Sequence, residues 1–505
     1  MARSASPSTP ARILVTVLAG LAFIGAVTAV DASFDARGAG RGARIAAEAA
    51  DAGVVSAADL QAKQERKRAK VDRKLTALAE ATANGLVGQE RAPGPGATGW
   101  LGEISLDATA DDWEPAIAAD PNAPYVYALA TRYGAGKPCP GNCPTPFTAL
   151  WISQDGGATW SDSRPLCACK GGGQFDPIIE VVPSTGHVYA LHMVGYNVVF
   201  MKSTDHGQTW SAPVKTYGKV SWNDKPVLAM SDDGRDVYTS WNGPTGGDPW
   251  VAQSHDFGAT WTQAKLVNSD RYYFAFDADV APDGTVYLGE SSLRYGGGGN
   301  KGTTPTGTVD HHAFVSTDRG ATWTNRTVAQ VQPGVACVAD GCTPDFYLGH
   351  NALSVDASGA LVYLYDGATT PGGPQTVAAR RSTNRGVTWS AAVNLSTSGE
   401  NATSPAVESR GSGDVRGWWM ETAGGNPDTW NVWYRRSSDG GTSWSAAVKI
   451  SDAAGGAAYK TAEGFLEVYG DYGEIAITSA GKAVAIWGEG FSWNGPGGVW
   501  LNREQ

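Results

Sequence analysis

An octapeptide of the form Ser-x-Asp-x-Gly-x-Thr-Trp recurs along the chain and constrains its fold more than any other feature. It reads SQDGGATW at 153–160, STDHGQTW at 203–210, SHDFGATW at 254–261 and STDRGATW at 316–323. Two looser copies follow, STNRGVTW at 382–389 and SSDGGTSW at 437–444. The acidic position falls at 155, 205, 256, 318, 384 (Asn384) and 439, so the steps are 50, 51, 62, 66 and 55 residues. A period of that length holds four short strands and their turns, the content of one blade of a β-propeller. The octapeptide itself suits a strand–turn–strand corner. Asp accepts backbone N–H groups in an Asx-type turn, Gly takes a positive φ, and the Trp opens the next strand with a large surface to bury. A catalytic residue is needed once, whereas a corner is needed once per blade, so the six boxes are read as structural.

Each box is expected to join the third and fourth strands of a unit. The first two strands then lie upstream, for example EPAIAADP (114–121) with YVYALATRY (125–133), or DPIIEVVP (176–183) with HVYALHMV (187–194). A seventh unit without a box follows the sixth: YGDYGEIAITSAG (469–481), KAVAIWGEG (482–490) and GGVWLNR (497–503). It supplies three strands only, while GWLGEISLD (99–107) stands unpaired before the first unit. Lending that first strand to the last blade closes the ring and removes two loose sheet edges. The expectation is an all-β, seven-bladed β-propeller closed by an N-terminal strand, with six blades as the alternative.

Gly 65, Trp 19 and 18% charged residues in 505 positions suit such a repeat protein. Residues 1–98 hold 13 Lys+Arg against 9 Asp+Glu, a net of +4. The formal total of −11 therefore leaves −15 on residues 99–505. An acidic body excludes a nucleic-acid surface, which needs clustered Lys and Arg. The apolar run ILVTVLAGLAFIGAVTAV (13–30) behind Arg3 and Arg12 reads as a secretory signal, or as a membrane anchor if uncleaved. Residues 1–32 are assigned to that segment, 33–98 to a helical or disordered extension ending in the linker APGPGATG, and 99–505 to the propeller. Within the extension, Val71, Leu75 and Leu78 share one helical face that stops at Thr82, which fits a solvated helix, a spacer, a propeptide or a partner-binding arm. A secreted or cell-surface location, a monomer and no cofactor are expected.

Six cysteines behind an export signal favour disulfides. Cys139 and Cys143 follow the first unit's second strand, and Cys167 and Cys169 lie between its last strand and the next unit. Cys-x-Cys is too cramped to close on itself, so two bridges between the pairs are expected, with Cys337–Cys342 closing a small loop. A four-thiolate zinc site is the alternative for the first four.

Over roughly residues 110–505 the boxes resemble the Asp-box (BNR-repeat) repeats of the sialidase superfamily. The resemblance implies a glycan as partner and, most often, glycosidase chemistry, although binding and assembly propellers carry the same boxes. Typical members are six-bladed and open with Arg-Ile-Pro, one of three arginines that clamp the substrate carboxylate. This chain has Trp113-Glu114-Pro115 at that place.

A site is expected on the face opposite the boxes, where inner strands start and second strands end. Carboxylates among aromatic faces there would serve a sugar: rings to stack on, paired acids for the bond. Candidate binding residues are Arg132, Arg294, Trp113, Glu114, Asp176, Trp222, Asp224 and Tyr347. Candidate catalytic residues are His350, an imidazole of the kind used as acid or base near neutral pH, and Tyr472 with Asp471, facing Glu421 and Glu489. The reading is an exported, sialidase-like propeller that acts as a hydrolase on an acidic or complex sugar. The alternative is a non-catalytic glycan- or protein-binding propeller.

Overall fold

The computed structural model describes residues 57–85, 96–134, 144–167, 172–220, 223–243, 247–295, 305–335, 349–459, 472–490 and 497–505. Among these residues, twenty-eight strands form seven four-stranded antiparallel sheets. Blade 1 comprises β2 (Asp111–Ala119), β3 (Val126–Tyr133), β4 (Phe147–Ser153) and β5 (Arg164–Pro165). Blade 2 has β6 (Gln174–Val181), β7 (Val188–Val194), β8 (Val198–Ser203) and β9 (Val214–Lys215). Blade 3 has β10 (Ala229–Met230), β11 (Val237–Asn242), β12 (Pro249–Ser254) and β13 (Thr262–Lys265). Blade 4 has β14 (Tyr272–Val280), β15 (Val286–Tyr295), β16 (Pro305–Ser316) and β17 (Thr324–Val331). Blade 5 has β18 (Asn351–Val355), β19 (Leu361–Ala368), β20 (Gln375–Ser382) and β21 (Val393–Asn394). Blade 6 has β22 (Ala402–Arg410), β23 (Asp414–Ala423), β24 (Asn426–Ser437) and β25 (Val448–Lys449). Blade 7 has β26 (Glu474–Ile477), β27 (Ala483–Gly490) and β28 (Gly497–Arg503), with β1 (Ile104–Ser105) as its fourth strand. The pairing of β1 with β28 sets Ile104 opposite Leu501 and Ser105 opposite Trp500, so the two ends of the propeller sequence share one sheet.

All six boxes sit between the third and fourth strands and share one hydrogen-bond scheme. In the second, Ser203 Oγ donates to Asp205 Oδ1 at 2.7 Å and accepts Gly207 N–H at 2.9 Å. Asp205 then accepts Thr209 N–H at 2.8 Å and the Thr209 hydroxyl at 2.6 Å. These bonds hold the Asp205 carboxyl down at about 2, with the Thr209 hydroxyl the largest cause. Asn384 keeps the geometry with a neutral side chain, accepting Thr388 N–H at 2.9 Å. The box glycine is required twice over. Gly258 has φ 78°, and a Cβ there would lie 2.1 Å from the Phe200 ring of the preceding blade.

The core lies between blades rather than at one centre. Leu129 and Leu150 of blade 1 pack with Ile179 and Val188 of blade 2, and Trp210 covers that cluster. Trp323 does the same for blades 3 and 4, Trp389 for 4 and 5, and Trp444 for 5 and 6. Each of these box tryptophans therefore seals the joint to the preceding blade. Around the axis, carboxylates from one blade bond the free edge of the next inner strand. Asp277 Oδ2 accepts Leu353 N–H at 2.9 Å, Asp279 Oδ2 accepts Val355 N–H at 2.7 Å, and Glu474 Oε2 accepts Ile117 N–H at 2.6 Å. Burial pushes Asp277 up to about 8 and Asp279 up to about 6, against the pull of those N–H groups.

One helix, α1 (Ala57–Ala83), is described outside the propeller. One side of it lies against the propeller. Val71 is buried, Leu75 packs on the cluster that holds Trp113, Tyr133 and Phe175, and Lys74 pairs with Asp111. The stripe read from the sequence is thus the docking face. No helix among the described residues is long and apolar enough to cross a membrane. The apolar run 13–30 lies outside the described residues. Cys167 stands in a disulfide, and Cys139, Cys143, Cys169, Cys337 and Cys342 lie outside the described residues.

Candidate functional site

At the face away from the boxes, the inner strands begin with bulges whose backbone is strained. Glu114 (φ 55°), Asp176 (φ 48°), Lys225 (φ 54°) and Ser404 (φ 52°) all take the left-handed conformation, and each precedes a proline. A residue before proline is normally extended, and a side-chain-bearing residue at positive φ costs on the order of 1–3 kcal/mol. The register shifts between Trp113 and Ala116, Phe175 and Ile178, and Thr403 and Ala406 mark three of these bulges, and a fourth in blade 4 is centred on Phe276.

The bulge residues are linked from blade to blade. The Thr131 hydroxyl donates to Glu114 Oε2 at 3.0 Å and accepts Asp176 N–H at 3.2 Å. Asp176 Oδ2 in turn accepts Lys225 N–H at 3.4 Å. The Lys225 ammonium lies 5.4 Å and 5.5 Å from the Phe274 and Phe276 ring centroids, and Phe276 meets His350 edge-on at 4.9 Å. In blade 5, His350 Nδ1 is 3.2 Å from Asp366 Oδ2. Thr403 of blade 6 donates to the same carboxylate at 2.7 Å. Ser404 Oγ lies 3.1 Å from the Tyr459 hydroxyl. From blade 7, the Tyr472 hydroxyl reaches within 3.5 Å of the Pro177 carbonyl in blade 2. One residue per blade, Glu114, Asp176, Lys225, Phe276, His350, Ser404 and Tyr472, thus forms a belt at the start of the inner strands.

Tyr472 is the group most affected by this arrangement. Burial raises its phenol well above the ordinary range, and the carboxylates of Glu114, Asp176, Glu474 and Asp224 push it further. It therefore stays protonated and acts as a hydrogen-bond donor at neutral pH. As the nucleophile expected from the sequence, Tyr472 would have to give up its proton to one of these neighbouring carboxylates as it reacts.

Other expectations are redistributed. Arg132 is buried, with Nε 2.7 Å and Nη2 2.6 Å from the two Asp112 oxygens and a further contact to Asp107 at 2.9 Å. A guanidinium already held by two carboxylates fixes blade 1 and is not a substrate clamp. Arg294 pairs with Asp270 at 2.9 Å, half exposed on blade 4, so the two arginines do not make one binding fork. Glu421 accepts Trp419 Nε1–H at 3.0 Å and Thr397 N–H at 2.9 Å, and Glu489 accepts Trp487 Nε1–H at 3.0 Å. Neither is among the acids acting on Tyr472; Glu114 and Asp176 take that place. Asp224 is buried beside Lys225 and bridges to Asn242. Trp113 is buried under Lys74. Asp471, Trp222 and Tyr347 lie outside the described residues. Sequence reasoning missed Phe276, Asp366, Thr403, Ser404 and Tyr459. The signal for the bulges was present: Trp-Glu-Pro, Phe-Asp-Pro, Asp-Lys-Pro and Thr-Ser-Pro open four of the inner strands. A separate cleft of about 650 Å³, lined by Arg164, Leu166, Met201, Trp210 and Tyr217, lies between blades 1 and 2 and shares none of the belt residues.

Fold and repeated corner together define the class of this protein: an Asp-box β-propeller of seven blades. A family profile described as BNR/Asp-box repeat matches residues 201–212, which contain the second box. No curated protein matches the chain. Among solved structures, an ulvan lyase of a new polysaccharide lyase family is similar with 13% identity and a TM-score of 0.47, covering 78% of this chain and 94% of its own. The intramolecular trans-sialidase from Ruminococcus gnavus is similar with 14% identity and a TM-score of 0.41, over 78% of this chain and 94% of its own. A protein of unknown function from Dyadobacter fermentans is similar with 12% identity and a TM-score of 0.43, over 79% and 97%.

Proposed function

We propose that the belt at the boxless face is a carbohydrate site and that the protein is an exported, glycan-active hydrolase of complex or acidic sugars. The observation that carries this reading is the convergence of Glu114, Asp176 and Tyr472, from three blades, on one region of strained backbone. Glycoside hydrolysis needs one carboxyl group that keeps its proton and one that has lost it. Glu114, bonded by the Thr131 hydroxyl that also accepts the Asp176 N–H, and the Asp176 carboxylate both act on one buried phenol and supply the two acids that this division needs. In this scheme one of Glu114 and Asp176 protonates the leaving oxygen and the other receives the sugar or activates water. Tyr472 donates a hydrogen bond to the ring substituents, and Lys225 attracts an acidic group on the sugar. Phe276 and Phe274 offer an apolar wall. His350, oriented by Asp366 and Thr403, is placed to exchange a proton at the far side of the belt.

The decisive experiment is a glycan library assayed by released reducing ends and by the absorbance of unsaturated products. Hydrolysis is expected, with Glu114→Gln and Asp176→Asn each lowering turnover by about 10²–10⁴, the usual contribution of an acid or base. Unsaturated product in place of hydrolysis would convert the reading to a lyase. A wild-type protein that binds a library member and never turns it over would convert it to a binding propeller.

A further inference from the structure

Beside the belt, at the rim of blade 1, the chain inserts a cation of its own. The Lys74 ammonium of α1 lies 3.1 Å and 3.0 Å from the two oxygens of Asp111. The same atom is 2.8 Å from the centroid of the Trp113 ring and 5.1 Å from that of Tyr133. The receiving groups are built and held without Lys74. Asp111 accepts Trp113 Nε1–H at 2.8 Å and Gly497 N–H at 2.8 Å, and Trp113 meets Tyr133 edge-on at 5.8 Å. Asp111, Trp113 and Tyr133 are all buried. A carboxylate and two aromatic faces around one ammonium make a cation subsite of the kind that desolvated cation–π contacts favour.

The helix that delivers Lys74 docks through a short apolar stripe. Apart from Lys74, its docking face includes Val71 and Ala81, both buried, with Leu75 and Leu78, the last lying against Gly134. Its outer face carries exposed charged residues such as Glu65, Asp72 and Arg73. A single helix with so narrow an apolar stripe owes its place to docking rather than to its own propensity. It covers the aromatic and acidic groups that stand next to Glu114, three residues along β2 from Asp111.

We infer that Asp111, Trp113 and Tyr133 form a subsite for a primary ammonium group, and that α1 closes it from within the chain by seating Lys74 in place of an amine-bearing sugar. The inference rests on the boxless face being the ligand face, and it is tested by binding rather than by turnover. In the full-length chain, Lys74→Ala is expected to bind a glucosamine tetramer at least tenfold more tightly than the wild type does. The fully N-acetylated tetramer, which has no ammonium, should show no such gain. Asp111→Asn added to Lys74→Ala should abolish it. Should either variant fold poorly, a protease site placed within 86–95 of the wild-type chain provides the second measurement. After cleavage, the glucosamine tetramer should displace the α1 fragment on size exclusion, and the N-acetylated tetramer should leave it bound. Equal affinity of wild type and Lys74→Ala for the two sugars, with α1 retained on the cut protein, would overturn the proposal and leave α1 a brace. Binding of a lysine-rich peptide with no binding of either sugar would overturn the amino-sugar assignment. Gain of binding without turnover would support this subsite while contradicting the hydrolase.

Discussion

The two ends of the propeller are built on opposite rules. At the box end, six corners repeat one set of bonds, from Ser153–Asp155 to Ser437–Asp439, within a few tenths of an ångström. At the other end, the equivalent positions in successive blades carry Glu114, Asp176, Lys225, Phe276, His350, Ser404 and Tyr472, and no two adjacent blades agree. Repetition at the first end serves a requirement that every blade has, which is to turn the chain and seal the joint behind it. Variation at the second end, on backbone strained at four positions, is what a site assembled once from seven blades requires. The strain is located where the side chains differ, and the locally satisfied corners are located where they do not.

The largest expected effect concerns the ring that both ends share. Deleting residues 1–107 removes β1 and exposes β28, so that protein should aggregate or lose its cooperative melt, whereas a chain lacking residues 1–56 should melt as the full chain does. Equal melting of both would show that closure does not depend on the lent strand. Next in size is Tyr472→Phe, which should lower turnover by about tenfold or more by removing one donor from the belt, with little change in melting temperature. If its loss of activity followed a loss of fold, Tyr472 would belong with the structural end.

A smaller effect is expected at the box end. Ser203→Ala leaves buried Gly207 N–H without its acceptor and should cost about 1–3 kcal/mol in denaturant unfolding, with ligand affinity of the folded protein unchanged. The smallest effect is on pH. Asp205, Asp256 and Asp439 are held down at about 2, below their ordinary 3.8, so the stability they give is full above that value and is lost as the pH falls towards 2. Asp277 and Asp279 are shifted the other way, to about 8 and about 6, so their contribution is present at low pH and is lost as the pH rises through those values. Stability should therefore peak in mild acid, and Asp279→Asn should flatten the alkaline side only. An unchanged alkaline limb in that variant would contradict the assignment.

The fold was legible because the boxes mark period, strand position and face at once, and because a boxless three-strand unit together with an orphan strand points to seven blades. The site was only partly legible. Glu114, Asp176, His350 and Tyr472 could be placed by counting inner-strand starts. Which acids act on Tyr472 could not, since Glu421 and Glu489 share its face in sequence but are occupied by Trp419 and Trp487. Arg132 failed as a clamp for the same reason: a sequence gives the charge but not the Asp112 and Asp107 that already hold it. Asp366 and Tyr459 lie at the end of a second strand and in a long connection, where no periodic pattern points to the axis. The docking of α1 was readable only as a stripe, because its partner surface is formed by residues that come together on folding.

The central claim is that one end of the propeller carries the fold and the other carries the chemistry. Its most direct test measures Ser203→Ala and Glu114→Gln side by side, each by thermal melt and by affinity and turnover on a glycan that the wild type recognises. The account predicts a lower melting temperature with unchanged ligand behaviour for Ser203→Ala, and an unchanged or higher melting temperature with lost turnover for Glu114→Gln. Retained turnover in Glu114→Gln, or lost ligand behaviour in fully folded Ser203→Ala, would contradict it.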